Sequence, residues 1–156
     1  MDTIPFNTNK GKVNLNIWDC AGKELLRGAQ STYLEGKDAF IIMFDATSNT
    51  SIANVEGWLS TIRSVNPNTI VTIVGNKVDS ETNSDFYYNP EEFKYAYYSV
   101  SAKMNTNCEK PIVHIIRAYY GDKQIHYTGV KKVKKGPKRS KTLSKRIAKA
   151  RNKLFR

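Results

Sequence analysis

The chain predicts an open α/β fold, a mostly parallel sheet doubly wound by helices. Short apolar runs alternate with segments of helical period along residues 1–130, which is how strands and helices in turn appear in a sequence. Three polar motifs, Asp19-Cys20-Ala21-Gly22, Asn76-Lys77-Val78-Asp79 and Ser101-Ala102-Lys103, each follow such a run. The carboxyl ends of strands are where open α/β sheets bind ligands. With 156 residues and 40% hydrophobic content, the chain suffices for one core and hardly more.

Ile4-Pro5-Phe6-Asn7-Thr8, the turn Asn9-Lys10-Gly11 and Val13-Asn14-Leu15-Asn16-Ile17-Trp18 read as a hairpin whose second strand alternates inward and outward. Asp19 stands where that strand ends. The run Ala39-Phe40-Ile41-Ile42-Met43-Phe44 is expected as a central parallel strand covered on both faces, with Asp45 and Thr47 in the loop beyond it. From Ser51 to Val65, Ile52, Val55, Leu59 and Ile62 recur at helical spacing with Trp58 beside them, and Asn66-Pro67 is the stop signal. Ile70-Val71-Thr72-Ile73-Val74 makes the next buried strand, which places the Asn76 motif in the loop after it. Residues 80–94 are polar and read as loop with a short helix. Tyr95 to Val100 is a last short strand, and Pro111 to Tyr120 a closing helix.

The formal charge of +11 is unevenly spread. Of 25 Lys/Arg, 13 fall in residues 131–156, which hold no acid; the remaining 12 face all 14 Asp/Glu in residues 1–130. A body near −2 thus carries an arm of +13, so the expected organisation is a domain over 1–130 and a basic tail over 131–156. Cys20 and Cys108 form neither a CxxC pair nor a Cys/His cluster of metal spacing, and reduced thiols are expected. The longest apolar run is far too short for a membrane span, and the first residues lack the regions of a signal peptide.

Residue type says what each motif can do. Asp19, at a strand end and three residues before Gly22, can hold a magnesium-bound water while the Gly22 amide approaches a terminal phosphate. A lone Asp-x-x-Gly is equally an ordinary turn. Asn76-Lys77-x-Asp79 is more specific: the Asp79 carboxylate can accept from the ring N–H and exocyclic amine of guanine, an edge adenine does not present. Lys77 can lay its stem over the base plane and Asn76 can tie neighbouring loops, although all three residue types are common in turns. Ser101-Ala102-Lys103 can offer a backbone N–H to the base carbonyl. Alone it says little; its weight comes from following Asn76 by 25 residues, one strand later.

These motifs stand with Phe6-Asn7-Thr8-Asn9-Lys10-Gly11, Trp18-Asp19-Cys20-Ala21-Gly22, Ile41-Ile42-Met43-Phe44-Asp45-Ala46-Thr47-Ser48, Gly75-Asn76-Lys77-Val78-Asp79 and Asn107-Cys108-Glu109-Lys110-Pro111. On these residues, over about 4–122, the chain resembles the Ras superfamily of small GTPases, and within it the Ran family most closely. The resemblance implies the small GTPase, or P-loop NTPase, sheet, with Asp19, Gly22, Asn76, Lys77, Asp79, Ser101, Ala102 and Lys103 at a site for GTP or GDP. It also implies a role in nucleocytoplasmic transport, nuclear transport receptors or Ran regulators as partners, and a place in nucleus and cytoplasm.

The departures bear on chemistry. No GxxxxGK[ST] run occurs in the sequence, and Met1 falls where the family's second strand begins. The expectation is therefore a partial Ran-like G domain lacking the first strand, phosphate loop and first helix, with Mg2+ held through Asp19 only where a phosphate site is supplied. A fragment of a longer GTPase and a pseudo-GTPase that has closed the gap both stay open. Lys23 replaces the Gln that orients attacking water; a protonated Lys only donates, so no catalytic residue is assigned.

The tail supports another class of function. Lys131, Lys132, Lys134, Lys135, Lys138 and Arg139 have the form of a nuclear-import signal or a phosphate-backbone contact arm. Leu143, Ile147, Ala150 and Leu154 then recur at spacings of 4, 3 and 4, the stripe of a basic amphipathic helix. Nucleic acid, acidic membrane or an acidic protein partner would each suit it, making a non-enzymatic scaffold the alternative reading; a solvated charge tail fits the same composition. His114 and His126 read as packing residues, and the tyrosines at 87, 88, 95, 97 and 98 as core and edge residues.

Overall fold

The computed structural model describes residues 1–20, 31–80 and 95–129. Its elements are β1 (Asp2–Thr8), β2 (Gly11–Ile17), α1 (Ser31–Leu34), β3 (Ala39–Asp45), α2 (Asn49–Val65), β4 (Ile70–Asn76), β5 (Ala96–Ser99) and α3 (Lys110–Tyr120). Strands β1 and β2 form an antiparallel pair, and β3-β4-β5 a parallel sheet in that order. The chain divides into two compact units, Met1–Asp19 with the described residues of Gln124–Arg156, and Cys20–Lys123, where composition suggests one core.

In the first unit the hairpin closes through a two-residue turn, Thr8 pairing with Gly11. The Thr8 hydroxyl bonds Gly11 O at 2.8 Å and accepts from Lys10 N at 3.2 Å, which fixes the turn. Val13, Leu15 and Ile17 alternate with exposed residues along β2, as the period of two requires. The strand ends at Ile17, one residue before the expected Trp18, which is 45% exposed. Residues 124–129 are stitched to the hairpin. Asn9 N donates to His126 O (3.1 Å), Thr128 N to Asn7 O (3.1 Å) and His126 N to Asn9 Oδ1 (2.9 Å), while Phe6 stacks on Tyr127 at 4.7 Å. His126 is exposed and joins the hairpin through hydrogen bonds of its backbone.

In the second unit β4 is the central strand, not β3: among the described residues β3 has one paired neighbour, β4, whereas β4 is flanked on both sides. A continuous apolar run does not distinguish the two places, because apolarity reports burial of the faces and says nothing of which strands lie on either side. Helix α2 begins at the Ser48 N-cap, whose hydroxyl accepts from Ser51 N. It buries Ile52, Val55, Leu59 and Ile62 against Ile42, Phe44, Val71 and Ile73, each such burial stabilising by roughly 1.5–3 kcal/mol. Arg63 locks its far end. Its Nη1 donates to Pro67 O (2.8 Å) and Thr69 O (2.9 Å), its Nε to Tyr95 Oη (3.1 Å).

Helix α3 packs on β4 and β5 but has no residue in the cluster under α2. Because strand residues alternate faces, α3 takes the side of Thr72, Val74 and Asn76, opposite α2. It starts with Pro111 in its first turn and stops at Gly121, whose φ of +65° suits glycine at a helix end. His114 lies against Tyr98 at 5.8 Å; burial first, then the charge of Arg117, hold its pKa below the usual imidazole value. The expected short helix in 80–94, including Tyr87 and Tyr88, the second half of the Asp19 motif and the whole tail lie outside the described residues, apart from Ser80.

Candidate functional site

Strand β4 runs on to Asn76, so the Asn76-Lys77-Val78-Asp79 motif straddles the strand end and Asn76 is 7% exposed. In the parallel register Asn76 faces Asp45, the last residue of β3. Val100 N donates to Gly75 O (2.8 Å) and Val78 N to Val100 O (3.3 Å), which carries the Ser101 motif alongside. Three strand ends therefore present their polar residues together within one unit.

Two side chains join the motifs directly. Asn76 Oδ1 accepts from Ala102 N at 3.0 Å, and Ser101 Oγ donates to Asp79 Oδ1 at 2.5 Å. Asn76 thereby ties the loop after β4 to the loop after β5, and of the backbone N–H groups in Ser101-Ala102-Lys103 that of Ala102 is directed at Asn76. Ser101 also accepts from Met104 N (3.0 Å), and its backbone pairs both ways with Thr106 (3.1 and 2.9 Å). The Lys103 ammonium lies 3.7 Å from Asp79 Oδ2. The Ser101 bond, opposed by burial and aided by Lys103, holds the Asp79 carboxyl below its ordinary 3.8. Asp79 is thus an anion at neutral pH with one oxygen bonded to serine, and its side chain is 13% exposed.

Lys77 adopts φ +69°, the left-handed region uncommon for a residue with a Cβ. Its ammonium pairs with Asp45 Oδ2 at 2.5 Å. Asp45 Oδ1 accepts from Thr47 N (2.9 Å) and Thr47 Oγ1 (2.7 Å). Burial raises the Asp45 pKa, but the bonds from Lys77 and Thr47 outweigh it and hold the group below 3.8. Asp45 is the last residue of β3, not the start of the loop beyond it, and Thr47 follows; a position at the carboxyl end of a strand is the sequence signal that marks both.

Gly75 lies at a close approach. A Cβ there would stand 2.6 Å from Tyr97 Oη and 3.0 Å from Phe44 Cζ, and those two rings stack at 6.2 Å. The glycine lets β4 pass beneath an aromatic pair immediately before Asn76.

Asp19 is exposed and ends the first unit; Gly22, Lys23 and the tail residues Lys131, Lys132, Lys134, Lys135, Lys138 and Arg139 lie outside the described residues. No group of three His, Cys, Asp or Glu suited to a metal occurs among the described residues. A lone carboxylate such as Asp19 fits Mg2+ where phosphates and waters complete the shell. No helix among the described residues is long and apolar enough to cross a membrane.

Comparison with protein families gives a match to the Ras family over residues 2–121. This span takes in both sheets, both long helices and all three polar motifs. The parallel sheet with a helix on each face and polar loops at its strand ends agrees with that assignment: the chain belongs to the Ras family and carries a small GTPase-like nucleotide-binding domain.

Proposed function

We propose that the loops after β3, β4 and β5 form the base-reading half of a guanine-nucleotide site in a Ran-like domain. Asp79 carries the proposal. Its carboxylate is held in place by Ser101, and guanine offers it two N–H donors on one edge where adenine offers none in that arrangement. Lys77 supplies a flat stem, and Asn76 fixes the Ser101 loop by taking the Ala102 N–H.

Two or three hydrogen bonds to the base plus stacking supply about 4–6 kcal/mol, a Kd between roughly 1 mM and a few tens of μM. These 156 residues contain no GxxxxGK[ST] run to add a phosphate cradle to that sum. Binding of GTP or GDP by this chain is accordingly weak, with Mg2+ recruited through Asp19 only alongside bound phosphates. Hydrolysis is slow or absent, because Lys23 follows Gly22 where the family resemblance implies the water-orienting Gln. The Asn107-Cys108-Glu109-Lys110-Pro111 run and the hairpin support the Ran-like assignment, and with it transport receptors or Ran regulators as partners in nucleus and cytoplasm.

Titration with guanosine, GDP, adenosine and xanthosine tests the reading in parent and Asp79→Asn. The substitution replaces an acceptor by an amide that can donate to the 2-carbonyl of xanthine, so guanine binding should fall by about tenfold or more while xanthosine gains. Equal binding of adenosine and guanosine by the parent would sink the proposal, and submicromolar GDP affinity would overturn its weak-binding part.

The 13 Lys/Arg of residues 131–156 favour a second reading, a non-enzymatic scaffold that engages nucleic acid or another acidic partner. Deleting residues 131–156 separates the two: loss of partner binding with guanine recognition unchanged assigns that role to the tail.

A further inference from the structure

We propose that Asp45 is a positioning residue of the base site, one that acts through Lys77 by drawing its ammonium to the end of β3 so that the stem forms a fixed apolar strip. The inference rests on the guanine-site reading above. It starts from how firmly Asp45 is itself held. Its backbone N donates to Ser51 Oγ at 2.9 Å and its carbonyl accepts from Ser48 N at 3.1 Å. One carboxylate oxygen takes both the amide and the hydroxyl of Thr47. Only the other oxygen turns outward to a different element, and there it meets Lys77 at 2.5 Å.

Lys77 has the opposite character. Its side chain is 56% exposed and its backbone is in the left-handed region. A four-carbon stem in that setting would sample many rotamers, and a ligand that needed it flat would have to order it on binding. The ion pair removes most of that cost beforehand, because the acceptor end is fixed to a sheet strand and the ammonium must follow it.

Charge sets the ligand group served. With its ammonium on Asp45, Lys77 offers a neutralised head and a methylene stem, which suits the face of a planar purine. Asp45 therefore favours contact with the base, and its effect on binding should be independent of the phosphates carried.

Asp45→Asn keeps the shape and the Thr47 contacts while removing the charge. In the full 156-residue chain, monitored by amide chemical shifts of Val78 and Ala102, it should raise the Kd for guanosine and for GDP by the same factor, about fivefold. In a Lys77→Met background the same substitution should cost nothing further, because the partner through which Asp45 acts is gone. A merely structural role would persist in that background, and thermal denaturation of all four proteins shows that each is folded at the titration temperature. Unchanged affinity in Asp45→Asn, an equal loss with and without Lys77, or a gain confined to GDP overturns the proposal while leaving the guanine site intact. Failure of the parent to bind guanosine at all overturns the site reading, and the Asp45 inference falls with it.

Discussion

Replacing Gly75 by alanine tests whether the aromatic pair under β4 sets the backbone that leads into Asn76. The new Cβ would lie 2.6 Å from Tyr97 Oη and 3.0 Å from Phe44 Cζ, short by close to an ångström of an ordinary contact near 3.5 Å. Overpacking of this kind costs roughly 1–3 kcal/mol. The lower part of that range applies, because Tyr97 is half-buried and its ring can swing outward, giving up the bond from Ser99 Oγ at 3.1 Å. A loss of about 1–2 kcal/mol corresponds to a fall in Tm of about 2–8 °C for a chain of this size. Tyr97→Phe deletes the offending oxygen, so the double variant should be more stable than the sum of the singles by about 1 kcal/mol. Thermal and urea denaturation of the four proteins measures the cycle. A Gly75→Ala protein within about 0.5 kcal/mol of the parent, or a cost unchanged in the Tyr97→Phe background, would refute the steric account.

Thr72 is fully buried on the central strand, and its hydroxyl has no hydrogen-bond partner among the described residues. Thr72→Val removes that desolvation cost at nearly constant shape and should stabilise by about 1 kcal/mol, read as a higher urea midpoint at unchanged slope. Acid behaviour follows from the two carboxylates. Asp45 and Asp79 both lie below 3.8 in the folded chain, so each contributes stability that is complete above 3.8 and lost as pH falls through its lower folded value. Asp45→Asn should therefore flatten the decline in stability below about pH 4 relative to the parent, and an unchanged acid limb would contradict the Lys77 and Thr47 bonds.

Much of the fold was legible because burial leaves a periodic trace. The stripe Ile52, Val55, Leu59 and Ile62 became the buried face of α2, and the alternation from Val13 to Ile17 became one face of β2. Boundaries moved by one or two residues where a cap or a register decided them: Ser48 starts α2 ahead of Ser51, and pairing with Asp45 carries β4 through Asn76. The place of β3 in the sheet is not legible in the sequence, since the same apolar run serves a strand with one paired neighbour or two.

At the site, residue type and spacing by themselves determined what Asn76, Asp79 and Ser101 are able to bond, because hydrogen-bonding capacity is a property of the side chain. Membership of the Ras family was equally a matter of local motifs. Tertiary structure decided how those capacities are used. It gave the Ala102 N–H to Asn76, the Ser101 hydroxyl to Asp79 and the Lys77 ammonium to Asp45. Such pairings depend on which strand ends are neighbours and in what register, and that is fixed by the packing of β3, β4 and β5 between α2 and α3, not by any stretch of sequence taken alone.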